Sequence, residues 1–141
     1  MISTVSALIA QVESGGNPWA VRFEPAHNPA PEFVSRMMAA CACSHDTARV
    51  LCATSWGMYQ IMGDELMALG LSMSPVQFCA SAQTQNDMFA KVLDEKKLSA
   101  YTLNDLITSA SARTFFASKY NGPGNVTAYS QRILDVYHAG A

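Results

Sequence analysis

Apolar side chains recur at Val5, Leu8, Ile9 and Val12, the spacing that turns one face of an α-helix toward a core. Ser3 or Thr4 stands where an N-cap is needed and Gly15 where a helix stops, so the pattern predicts a first helix ending just after Glu13. Prolines at 18, 25, 29 and 31 follow. They cannot continue a helix, and they predict an ordered loop or a short irregular ribbon. Helical runs are predicted to resume over 33–42 and again over 46–53. Ser74, Pro75 and Gln77 form a capping-box arrangement with proline in the first turn, and an apolar face continues through Met88, Phe89, Val92 and Leu93 to about Lys97. Thr102 with Asp105 repeats the capping logic before Leu106 and Ile107. Phe115, Phe116 and Tyr120 share a helical face that ends at Gly122, and Val126, Tyr129, Ile133, Val136 and Tyr137 keep helical spacing toward the C-terminus. The chain reads as mainly α, with no internal repeat, linker or low-complexity tract.

Composition narrows the class. Half of the 141 residues are hydrophobic and 14% are charged, which excludes a disordered chain and fits one domain over residues 1–141. The net charge is −2 and the nine basic residues are scattered along the chain, so there is no basic stripe for a phosphate backbone and no nucleic-acid partner is expected. No apolar run approaches the ~20 residues that cross a bilayer, and no positive segment leads into an apolar stretch at the N-terminus. The expectation is a protein made in the cytoplasm without a signal peptide. Cys41, Cys43, Cys52 and Cys79 can be paired or free; without a secretory signal they are expected to be reduced, apolar thiols. His45 lies among three of them, but the single residue between Cys41 and Cys43 is a poor match to zinc-ligand spacing. No metal and no organic cofactor is expected.

Three segments carry polar groups that packing alone does not need: "ESGGNP" at 13–18, "SWGMYQIMG" at 55–63 and "YNGPGN" at 120–125. Glu13 ends an apolar helix, where burial and the negative end of the helix dipole both disfavour a charged carboxylate. That suits a proton donor. Gln60 is a lone amide among Met58, Tyr59, Ile61 and Met62; buried, it must reach either a ligand or a backbone group of its own fold.

Taken together, "ES…NP", the Gly-hydrophobic-aromatic-Gln-Ile-Met string and "YNG" resemble the lysozyme-like superfamily of lytic transglycosylases and goose-type lysozymes. The longer strings, with "RFE" between the first two segments, are most similar to phage N-acetylmuramidase endolysins, over nearly the whole chain from Glu13 to about Tyr137. The resemblance implies a mainly helical, single-domain lysozyme-like fold with a peptidoglycan-binding groove, cutting the β-1,4 bond between N-acetylmuramic acid and N-acetylglucosamine. It matches Glu13 to the catalytic acid, Gln60 and Met62 to sugar-contacting positions, and Tyr120 and Asn121 to a "YN" pair bordering the catalytic glutamate. Ser55 and Tyr59 are expected as groove lining. The implied partner is bacterial peptidoglycan, reached by a monomer after release from the cytoplasm.

Glycosidic cleavage needs a carboxylic acid whose surroundings keep it protonated near neutral pH, and helix one is expected to supply them for Glu13 with Tyr120 as a hydrogen-bond partner. Glu24, eleven residues on (24 − 13), is either the base of a hydrolase or an ordinary ion pair with Arg22 or Arg49. Asp46, read as a helix N-cap, and Asp64, read as a turn residue after Gly63, are weaker candidates. Pro25 and Ala26 depart from the family's pattern beside His27. Lytic transglycosylation, which manages with one carboxyl and leaves a 1,6-anhydro sugar, is the alternative. A wall-binding or virion module without turnover is the non-enzymatic one.

Overall fold

The computed structural model describes residues 1–140 and is mainly helical. The chain groups into two compact units, Met1–Gly16 with Ala90–Ala141, and Asn17–Phe89.

The first unit is built on α1 (Val5–Ser14), α7 (Leu103–Thr108), α8 (Ala110–Tyr120) and α9 (Val126–Ala139), with the second half of α6 (Ala82–Glu95). Thr4 Oγ1 accepts the Ala7 N–H to start α1, as its position predicted. Gly15 stops it at φ 65°, with its own N–H on the Gln11 carbonyl and the Gly16 N–H on the Ala10 carbonyl. This left-handed end is the conformation that glycine adopts without a Cβ penalty. Leu8, Ile9 and Val12 are buried against α9, and Phe116, Leu106 and Ile133 fill the same core. The Thr102–Asp105 capping box starts α7 as expected, with both reciprocal hydrogen bonds formed.

The second unit carries α2 (Pro31–Cys41), α3 (His45–Cys52), α4 (Gly63–Ala68), α5 (Pro75–Cys79) and a three-stranded antiparallel sheet, β1 (Val21–Phe23), β2 (Thr54–Trp56) and β3 (Ile61–Met62), in the order β1-β2-β3. Val21 pairs with Trp56 and Phe23 with Thr54; Ser55 pairs with Met62. The proline-rich loop therefore does contain a ribbon, but its partner strands inside "SWGMYQIMG" were not foreseen. Two boundaries also differ from expectation. Helix α3 is capped by Ser44, whose Oγ accepts the Thr47 N–H, and Asp46 lies in its first turn rather than at its cap. The helix expected over 74–97 is two, because Ser81 interrupts it: its Oγ accepts the Thr84 N–H and begins α6 anew. Asp64, expected in a turn, stands in the first turn of α4 and ties it to the loop through His27 Nε2 at 2.5 Å.

All four cysteines are free, Cys52 and Cys79 buried and Cys41 and Cys43 half-buried. Burial above all, with the charges of Asp64, Cys41 and Cys43, pushes the Cys52 thiol up to about 12. Among the described residues no three metal-ligating side chains gather, and no helix is long and apolar enough to cross a membrane.

Candidate active site

Glu13 is half-buried in the last turn of α1, four residues after the buried Ile9 and next to the buried Val12. Its Oε1 accepts a hydrogen bond from the Tyr129 hydroxyl at 2.6 Å. Tyr129 enters from the first turn of α9, its residue 7% exposed. Burial first, then the negative charge of Glu13, drives the Tyr129 phenol well above its ordinary value, with smaller upward contributions from Tyr120 and from the hydrogen bond itself, opposed by Arg132. The phenol therefore keeps its proton at every working pH. It is a fixed donor aimed at one carboxyl oxygen.

Sequence reading treated Tyr129 as one more apolar residue of the α9 stripe. The overlooked signal was chemical: a tyrosine at a core position needs a partner for its hydroxyl. Tyr120 closes α8, stacked on Phe116 with ring centroids 5.7 Å apart, and Lys96 Nζ sits 5.5 Å over its ring while donating to its carbonyl at 3.3 Å. Asn121 is the exposed C-cap of α8, its N–H on the Ala117 carbonyl.

In the second unit the sheet positions the remaining candidates. Gln60 has φ 51°, in the left-handed region, and its amide is spent on its own fold. Nε2 donates to the carbonyls of Ala20 (3.2 Å) and Gly57 (3.0 Å), and Oε1 accepts from Ser55 Oγ at 2.8 Å. Ser55 is buried and also reaches the Arg22 carbonyl at 3.3 Å. Tyr59 is 3% exposed, stacked on Phe89 at 4.1 Å, with its hydroxyl on Asn86 Oδ1 at 2.6 Å. Met62 is half-buried opposite Ser55. Of this group, Gln60 and Ser55 form one hydrogen-bonded knot around the turn 57–60.

Glu24 follows β1, with 38% of its side chain exposed, and its Oε1 lies 3.0 Å from Arg22 Nε. Of the two arginines expected as partners, Arg22 is the one that pairs. In solvent such a pair contributes little to stability, about 0–1 kcal/mol.

Gln85 was not singled out from the sequence. It is wholly buried on α6; its Nε2 donates to the carbonyls of Pro18 (3.1 Å) and Cys79 (3.0 Å), and its Oε1 accepts the Met58 N–H at 2.7 Å. It ties the loop after Asn17 to the turn at Gly57.

Comparison with known proteins shows the family. The chain is 34% identical over 140 residues to the endolysin of Enterobacteria phage PRD1, covering 93% of this chain and 92% of that one. No solved structure matches it. The family model described as "Muramidase: N-acetylmuramidase" matches residues 25–140, which include Tyr120 and Tyr129, whereas Glu13 and Glu24 precede the matched span. With most of its length inside that match, and a phage endolysin aligned along nearly all of it, the chain belongs to the N-acetylmuramidase family.

Proposed function

We propose that Glu13 is the general acid with which this muramidase protonates the glycosidic oxygen between N-acetylmuramic acid and N-acetylglucosamine. The observation that carries this reading is the hydrogen bond from the buried, permanently protonated Tyr129 to Glu13 Oε1. With Oε1 committed as an acceptor, the transferable proton sits on Oε2. When that proton leaves, Glu13 becomes a carboxylate, and a hydrogen bond to an ionised acceptor is roughly twice as strong as one to a neutral acceptor. The Tyr129 bond thus tightens as the leaving oxygen is protonated, and an interaction that strengthens toward the transition state accelerates the step. The difference between ordinary and charge-assisted bonds, about 1 kcal/mol, corresponds to roughly five- to tenfold in rate.

The first choice for the second half-reaction is hydrolysis, with Glu24, which pairs with Arg22, as the base that activates water. Ser55, Gln60 and Met62, with Tyr59, Tyr120 and Asn121, are assigned to a peptidoglycan-binding groove, where Gln60 and Ser55 act by shaping the turn 57–60. Acid–base chemistry of this kind needs no metal or organic cofactor. The protein works as a monomer on the wall after release from the cytoplasm.

The second reading is lytic transglycosylation, in which the muramic acid's own substituents close the 1,6-anhydro ring and a single carboxyl suffices. The exposure of Glu24 and its engagement with Arg22 favour it. Mass spectrometry of digested peptidoglycan separates the two: reducing ends establish hydrolysis, and anhydro-muramic ends alone remove Glu24 from the mechanism. A wild-type digest that contains neither product overturns both readings.

A further inference from the structure

Trp19 leaves 54% of its surface exposed, although tryptophan is among the more buried residue types. The backbone on both sides of it is firmly held. The Pro18 carbonyl accepts from the wholly buried Gln85, and the Ala20 carbonyl accepts from the Gly57 N–H at 2.8 Å and from Gln60 Nε2 at 3.2 Å. The Trp19 N–H itself donates to Asn17 Oδ1 at 2.9 Å. Two glutamine amides thus fix the segment that presents the ring to solvent.

We propose that Trp19 is a glycan-stacking residue, receiving the apolar face of an N-acetylated sugar ring of the peptidoglycan strand on its indole. The inference rests on peptidoglycan as the substrate. Pyranose rings offer a flat patch of C–H groups and an acetamide methyl, which a large neutral ring covers while its edge N–H remains able to hydrogen-bond. The neighbouring charges are balanced, Arg22 being paired with Glu24, so the ring stands in a setting suited to a neutral sugar rather than to an anionic surface. Because its frame is already rigid, little ordering cost is added on binding.

The test uses the full-length protein in two arms. In the first, chitotetraose is titrated against tryptophan fluorescence with acrylamide as quencher. Trp56 is 7% exposed, with its indole N–H on the Leu51 carbonyl, so the quenchable emission belongs to Trp19. Protection on adding the sugar is expected. In the second, Trp19→Ala is expected to raise KM on purified peptidoglycan about tenfold with kcat and Tm nearly unchanged, Trp19→Phe to recover most of that loss, and Val76→Ser, at a separate exposed apolar position, to change nothing. Unprotected fluorescence together with a wild-type KM for Trp19→Ala overturns the proposal. A wild-type enzyme whose Trp19 emission chitotetraose protects, but which releases no product from peptidoglycan, supports stacking and counts only against the catalytic reading.

Discussion

The Tyr129 hydroxyl meets Glu13 Oε1 across 2.6 Å, joining residues 116 positions apart in the chain. Helix α1 supplies the carboxyl and α9 supplies the donor, a phenol that burial pushes well above its ordinary value. The bond therefore persists in both protonation states of the carboxyl, and it favours the charged one.

Removing that donor has a signed consequence. In Tyr129→Phe the carboxylate loses a stabilising partner, so Glu13 holds its proton to higher pH and the alkaline limb of the activity profile moves upward. At the wild-type optimum kcat falls roughly five- to tenfold. A pH–rate profile of the two proteins checks both statements; an unmoved limb would separate Tyr129 from catalysis.

Glu24→Gln distinguishes a base from a surface ion pair. If Glu24 activates water, reducing-end release drops by about a hundredfold or more while thermal stability hardly changes, since the Arg22 pair is solvent-exposed. Wild-type kinetics in this variant would assign Glu24 to the surface.

The Gly57 turn is expected to be intolerant of any side chain. Gly57 has φ 80°, and a Cβ there would run into the Gln85 amide oxygen. Gly57→Ala should cost at least about 2 kcal/mol from left-handed strain and from disturbing the Gln85 bonds, read as a fall of several degrees in Tm. Gln85→Leu should cost at least as much, because it strands the Met58 N–H and the Pro18 and Cys79 carbonyls.

Asp105 gives a stability signal in acid. The Thr102 N–H and hydroxyl hold its carboxyl below the ordinary 3.8. A depressed folded value contributes stability that is present above the unfolded value and is lost as pH falls through the folded one. Asp105→Asn should therefore melt below the wild type at neutral pH, and the two curves should converge in acid, once the pH has fallen through the lowered carboxyl value. A gap that persists in acid would contradict this.

What could be read in the sequence was local. Thr4, Gly15, the Ser74 and Thr102 capping boxes and the apolar spacing of α1 and α9 act within one or two turns, and each appears where its chemistry put it. The partner strands β2 and β3 were not legible, because Trp56 and Ile61 are both buried and no alternation of apolar and polar residues marks these strands. The break at Ser81 was hidden because no glycine or proline marks it, and only the Ser81 cap reveals the new helix. At the site, Glu13 stood out because a carboxylate is anomalous at an apolar helix end. Tyr129 did not, since its ring fits the stripe and only its hydroxyl has a separate purpose. Gln60 was legible as an amide needing partners, but the alternative that the structure realises is bonding to its own backbone.

The account is tested most directly by comparing the rate at which the wild type and Glu13→Gln release soluble fragments from purified peptidoglycan, with Tm measured on the same samples. The substitution keeps the shape of the side chain and an oxygen for Tyr129 but removes the transferable proton. Release is predicted to fall by roughly a hundred- to ten-thousandfold with little change in Tm; a variant that clears the wall at the wild-type rate would contradict the assignment of Glu13 as the acid.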